Sequence, residues 1–349
     1  MLTLAETLGA VGMSQVELAR RANRPPQVIS EIIVGKKEIT PETAIEFERV
    51  LGVPAHIWLN LEAQFRMVRA RLAEAKRLEE ELPLAAKFPY ADMAKLGWVP
   101  KLSDLRQRAE ALLRFFGVAT LKGLEYVATW RRANLPKVSD YALAAWLRRG
   151  EIEAQAIHTR PFDESAVAST VTALRRMTCE SPDVFNAQLS ELFRTVGIVL
   201  VCVPHLPRTG AQGATRWVAG RPIVQLSVRY RWADIFWFTL FHELCHVFRH
   251  GKKGFFVDFL GQGGGDPQEV EADRFAVGHL IPEAPYRRFL ADTSYTSAAR
   301  VRAFAATIGV HPGIVVGRLQ HDRRIGADVL NGLRARYELQ KSTKPESEC

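Results

Sequence analysis

Two histidines four residues apart, with a glutamate beside the first, constrain this chain more than any other feature: His242-Glu243-Leu244-Cys245-His246. Residues 232–250 have the patterning of one helix, with Asp234 suited to a positive N-terminus and Gly251, Lys252 and Lys253 suited to a stop. On a helix, residues i and i+4 share a face, so His242 and His246 can aim at one ion. Glu243 lies about 100° round, placed to touch a water on that ion rather than the ion itself. The bland alternative is a helix whose histidines merely cap a core.

Catalytic zinc takes three protein ligands and keeps its fourth position open. The third is sought in DPQEVEADRFAVGHLIP, residues 266–282, where Asp266-Pro267 reads as a helix start. Glu269 and Asp273 are four apart and share a face. Glu269 is the favoured ligand, with Asp273 orienting a zinc-bound histidine. One alternative stays open. Asp266-x-x-Glu269 also fits a capping box, in which Glu269 bonds backbone, and Glu271 is then the ligand.

The N-terminal stretch MSQVELARRANRPPQVISEIIVGKKEIT, residues 13–40, has helix-turn-helix spacing. Ala19 permits close helix approach, and Ile29 is the inward apolar residue of the second helix. Asn23 occupies the turn position that needs a left-handed conformation, which asparagine tolerates. The spacing predicts a recognition helix from about Pro26 to Val34, with Gln27, Ser30 and Glu31 meeting base edges in the major groove. Gln15, Arg24, Lys36 and Lys37 are expected at phosphates. A helical core with no DNA role is the plain alternative. Residues 301–325 echo the same spacing with Ala305, Gly309 and Val315. They read as a helical pair packing on the rest of the chain, or as a second DNA-binding unit carrying Arg318, Arg323 and Arg324.

The segments RYRWADIFWFTLFHELCHVFRHGKKGFFVDF and EVEADRFAVGHLIP together resemble the ImmA/IrrE family of zinc metallopeptidases. In that family, a helix with H-E-x-x-H precedes one with E-x-E-A-(N/D)-x-F-A. Nearly the whole chain is similar to members fused to a HigA-like helix-turn-helix domain. One departure is Cys245, where glycine is common; its thiol is read as a small buried hydrophobe, with metal binding or oxidation as the alternative. The resemblance implies a Zn2+ cofactor, His242, His246 and Glu269 as ligands, and Glu243 as general base in peptide hydrolysis. It further implies a regulator that binds operator DNA and cleaves a repressor or antitoxin protein in a stress or toxin–antitoxin response. A cognate toxin and a homodimer are also expected. The rival is a HigA-like antitoxin or repressor whose metallopeptidase-like domain senses or binds without hydrolysis. Tyr230, His205 and His279 are candidate donors to a reaction oxyanion. The strand at 222–228 is a candidate to bind substrate as an added strand.

The expected fold class is α+β. An all-α helix-turn-helix domain (1–70) and a helical connector (71–160) precede a small zincin-like domain (161–290), a helical region (291–340) and a polar tail (341–349). Within the third stretch, residues 197–203 read as a buried strand, and residues 213–228 as two strands joined at Ala219-Gly220-Arg221-Pro222. The glycine-rich Gly261–Gly265 stretch is read as a surface loop or a mobile lid. Of the 349 residues, 47% are hydrophobic and 24% charged, enough to bury a substantial core. No run of about 18 apolar residues suits a membrane span, and no basic, then apolar, leader pattern opens the chain. Four cysteines without paired spacing, Cys179, Cys202, Cys245 and Cys349, fit a reducing compartment. A cytoplasmic protein is expected. The net charge of +9 points weakly to an anionic partner.

Overall fold

A computed structural model of the chain describes residues 3–124, 138–227, 232–251, 254–259, 266–291 and 293–337. Tyr230, Lys252, Lys253, the Gly261–Gly265 stretch and the tail from 341 lie outside them. The chain divides into two compact units, Met1–Leu82 and Pro83–Cys349. No helix among the described residues is long and apolar enough to cross a membrane.

The first unit is all-helical: α1 (Leu4–Ala10), α2 (Gln15–Arg21), α3 (Pro26–Ile33), α4 (Pro41–Leu51) and most of α5 (Ala55–Ala85). Short polar side chains start the helices. Ser14 accepts from the Glu17 amide at the head of α2, and Thr40 caps α4, where Pro41 fills the first turn. Leu18, Ala19, Ile29, Phe47 and Trp58 close one core, with the Phe47 and Trp58 rings edge to face at 5.8 Å. Asn23, between α2 and α3, adopts φ +51°.

The second unit is mixed α+β around a four-stranded sheet: β1 (Val199–Val203), β2 (Ala211–Val218), β3 (Arg221–Ser227) and β4 (Phe256–Phe259), in the order β1-β3-β2-β4. β2 and β3 form a hairpin turning on Ala219 (φ +49°) and Gly220 (φ +78°). Two consecutive positive φ values are what a tight hairpin between right-twisted strands requires. β3 has β1 on one side and β2 on the other, so its backbone has no free edge. This corrects the expectation that the 222–228 strand takes up substrate: an added strand needs unpaired backbone, and here β1 and β4 form the edges.

Helices cover both faces of the sheet, which is why β3 is buried almost throughout. On one face lies α8 (Asp140–Gln155), after α6 (Tyr90–Lys95) and α7 (Leu105–Phe116). Gln225 donates to the Trp146 carbonyl at 2.7 Å, and Arg216 donates to the Leu147 carbonyl at 2.8 Å. After α9 (Val167–Met177) and α10 (Pro182–Val196), the central helix α11 (Ala233–Arg249) lies on the other face, against Thr215, Val224 and Leu226. Asp234, in its first turn, takes two hydrogen bonds from Arg334, at 3.0 and 2.8 Å. Tyr337 accepts from the Trp237 indole at 2.8 Å. The segment after residue 330 thus clamps the start of α11.

Among the described residues four α-helices follow: α12 (Pro267–Leu280), α13 (Glu283–Leu290), α14 (Ala298–Ile308) and α15 (Pro312–His321). The helix-turn-helix echo at 301–325 is the α14–α15 pair, joined at left-handed Gly309. Val301, Ala305, Ile314, Val315 and Leu319 are packed into the same core as α11. Arg318 is held by Asp322 at 2.7 Å. Gly313 through Val316 and Leu319 are buried, so most of α15 packs into that core.

Candidate metal centre and nucleic-acid interface

The histidine helix is apolar nearly all round, because it is buried among β2, β3, α12 and α15. The helical period then stacks His242 and His246 on one face, with ring centroids 5.0 Å apart. α12 starts with Asp266 accepting from the Gln268 amide, and it brings Glu269 to the same point. Glu269 Oε2 lies 3.0 Å from His242 Nε2 and 3.6 Å from His246 Nε2; the two nitrogens are 3.1 Å apart. Four-coordinate zinc with N and O ligands at about 2.0–2.1 Å separates its ligand atoms by about 3.3 Å. The three donors fit that ion. Asp273 Oδ1 meets the other nitrogen of His242, Nδ1, at 2.9 Å. Glu271 lies away from this triangle, 3.3 Å from His250.

Glu243 is completely buried. Its Oε2 accepts from the Thr215 hydroxyl of β2 at 2.6 Å, and its Oε1 has no hydrogen-bond partner among the described residues. Gly213 lies against that same oxygen; a Cβ there would come within 2.3 Å of it. The carboxylate is thus pinned by one oxygen and, among the described residues, free at the other, beside His242 of the donor triangle. Burial pushes Glu243 up to about 8; His242 pulls it back, Asp258 adds to the rise, and Thr215 opposes it. Asp258, on β4, rises to about 6 through burial, against the attraction of His242.

The two histidines of the triangle move apart. Burial disfavours a charged His242, but its hydrogen bonds with Asp273 and Glu269 outweigh that and lift it to about 11. Burial takes His246 down to about 4, with Glu269 opposing. Cys245 is buried, and that burial holds its thiol up at about 12. Its Sγ shares a neighbourhood with His250 and Glu271, their donor atoms within 4.8 Å of one another. Of the candidate oxyanion donors within the described residues, His279 packs on the Phe275 ring at 4.2 Å, and His205 follows β1 in the chain.

In the first unit, Gln27 and Ser30 are exposed on α3. Glu31 is half-buried and accepts from Gln27 at 2.9 Å, so those two expected base readers hold each other. Gln15, Lys36 and Lys37 are exposed. Arg24 differs from them: its guanidinium pairs with Glu46 through two bonds, at 2.6 and 3.0 Å, and ties the turn to α4. Sequence reasoning missed Thr215, Gly213, Asp258 and His250. Only His250 carried a signal, since it continues the four-residue step of His242 and His246.

Residues 214–320 match the family described as IrrE N-terminal-like domain, of the M78 peptidases. Residues 4–58 match the family described as Helix-turn-helix. Over 67 residues the chain is 33% identical to YddM, an uncharacterized HTH-type transcriptional regulator of Escherichia coli (strain K12); the match covers 19% of this chain and 71% of that protein.

Proposed function

The chain belongs to the HTH-type transcriptional regulators, and on that premise we propose that it joins an operator-binding helix-turn-helix to a zinc-dependent endopeptidase. The substrate is a repressor or antitoxin protein, cleaved in a stress or toxin–antitoxin response. The observation that carries the hydrolytic reading is Glu243. A buried carboxylate with one anchored oxygen and one without a partner among the described residues, next to three convergent donors, is costly unless it is used.

His242, His246 and Glu269 would hold the ion. Zinc there would supply Lewis-acid polarisation of a peptide carbonyl and a water of lowered pKa, about 7. Glu243 Oε1 takes a proton and passes it to the leaving amine, while Thr215 keeps Oε2 in place. Asp273 holds the His242 ring from behind. On the DNA side, Gln27 and Ser30 read bases, with Glu31 holding Gln27. Gln15, Lys36 and Lys37 contact phosphates, and Arg24 adds positive potential while bracing the turn. The chain acts in the cytoplasm as a homodimer, in keeping with its HigA-like resemblance and with a cognate toxin as a further partner. Phe65, Val68 and Leu72, exposed on α5 at alternating three- and four-residue spacing, support a second copy.

The test is Glu243→Gln in the full chain. The variant is expected to fold, keep one equivalent of zinc and bind its operator as wild type does. Its cleavage should fall by at least about 10²-fold, read by mass spectrometry as new protein N-termini in a lysate of the native host. Equal cleavage by variant and wild type refutes the assignment of the base. No new N-termini with either protein leaves the non-hydrolytic HigA-like sensor as the function.

A further inference from the structure

We infer that His250 and Glu271 form a relay that fixes the proton of His246, so that each metal-facing histidine is backed by a carboxylate: His242 directly, His246 through a second imidazole. This rests on the metal-site reading above and goes beyond it to residues outside the donor triangle.

His246 points Nε2 at the donor triangle and Nδ1 at His250 Nδ1, 2.8 Å away. A nitrogen that ligates a cation uses its lone pair and carries no hydrogen, so neutral His246 keeps its proton on Nδ1. That N–H must donate, which makes His250 Nδ1 the acceptor. His250, neutral in turn, carries its hydrogen on Nε2, and Nε2 faces Glu271 Oε2 at 3.3 Å. An ionised carboxylate only accepts. Each role follows from the one before, and the chain ends on a group that satisfies it. The His250 side chain is only 4% exposed. Phe256 of β4 stacks on His246 at 4.0 Å and 18°, and it also lies against His250 at 5.4 Å, which leaves the two rings little freedom to turn. Groups that orient a metal-bound histidine typically contribute 10–100-fold to metal affinity.

The position of Glu271 follows from the same geometry. Residues 269 and 271 are about 200° apart around a helix. Glu269 therefore meets the ion side of the histidines, and Glu271 reaches the far end of His250.

The test is zinc affinity of the full-length protein, measured by chelator competition. His250→Ala is expected to weaken zinc about 10–100-fold. Asparagine places its Oδ1 where the histidine places Nδ1, so His250→Asn keeps an acceptor for His246 and should hold zinc within a few-fold of wild type. Glu271→Ala should weaken zinc in the wild-type background and change nothing further in His250→Ala, since the two act through one chain. Unchanged affinity in His250→Ala overturns the relay, as does equal loss in His250→Asn and His250→Ala. Should the alanine variant fail to fold, the asparagine variant and Glu271→Ala decide. Two equivalents of zinc, the second lost in Cys245→Ser, would also overturn it, because His250 and Glu271 would then be ligands of a separate ion beside Cys245. If wild-type protein binds no zinc that His242→Ala abolishes, the metal reading falls as well. If it does bind such zinc and His250→Ala matches it, only the relay falls.

Discussion

Gly213→Ala should disable hydrolysis while leaving the metal in place. A Cβ at 213 would sit 2.3 Å from Glu243 Oε1 and 2.8 Å from its Cγ and Cδ. Ordinary contact between such atoms begins near 3.5 Å, so about 1 Å of movement is required. Flexible side-chain ends elsewhere yield cheaply, but this one is fully buried and its other oxygen is bonded to Thr215 at 2.6 Å. Either the carboxylate swings out of that bond, or α11 and β2 separate. A misplacement of about 1 Å at a reacting group costs on the order of 10²-fold in rate. The three atoms nearest the new methyl all belong to Glu243, so zinc content should stay at wild type. The assay is zinc per chain, together with the count of new N-termini in host lysate per unit time. Gly278→Ala on α12 is the control, since a Cβ there has nothing within 4 Å; it should keep full rate and stabilise its helix by about 0.5–1 kcal/mol. Full activity in Gly213→Ala would refute the view that the Glu243 position governs the rate. Lost activity with equally lost zinc would show that the strand serves the metal instead.

Three further outcomes are expected. Asn23→Ala should destabilise the N-terminal unit by roughly 1–2 kcal/mol in denaturant titration, because alanine resists the φ +51° backbone, whereas Asn23→Gly should not; equal losses would refute this. Lys36→Ala with Lys37→Ala should lower the slope of log affinity for DNA against log salt by about one per lysine, while Arg24→Ala should chiefly lower stability, because Glu46 already engages its guanidinium; an unchanged slope in the lysine variants removes them from the interface. Hydrogen bonds from Arg20, then Arg21, hold Glu17 down at about 2 against an ordinary 4.5. Its contribution to folding is therefore complete above pH 4.5 and lost as pH falls through about 2, so the stability gap between wild type and Glu17→Gln should close across that window; a gap that persists below pH 2 would contradict the assignment.

The helical parts were legible because their rules are local. The helix expected from about Pro26 to Val34 is found at Pro26–Ile33. The need for a left-handed residue between two closely packed helices is met at Asn23. The hairpin turn was readable from Ala219-Gly220 for the same reason. Strand order was not. β-branched runs mark strands at 197–203 and 213–228, but no one-dimensional pattern says that β3 lies inside the sheet and β4 at its edge. The role of 301–325 was similarly open, because Ala305, Gly309 and Val315 suit any tight helix pair. What differs is the burial of α15 against α11, a property of the assembled core.

At the site, spacing alone brings His242 and His246 to one point, because four residues nearly complete a helical turn. It cannot choose between Glu269 and Glu271. Both lie on α12, and the choice depends on how that helix is rotated against α11. Packing turns Glu269 toward the two imidazoles and Glu271 toward His250. Thr215 and Gly213 lay further from reach. Glu243 and Thr215 are 28 residues apart, and they meet only because the face of β2 that carries Thr215 lies under α11. A threonine and a glycine in a strand have no pattern that distinguishes them from ordinary sheet residues. Their importance arises from the missing side chain of one and the single hydroxyl of the other, both set against one buried carboxylate. His250 is the intermediate case. Its spacing was visible, but a histidine at a helix end has a sufficient reason to be there as a partner for the helix dipole. Only the 2.8 Å contact between two Nδ1 atoms, one of which must donate and the other accept, gives it a further role.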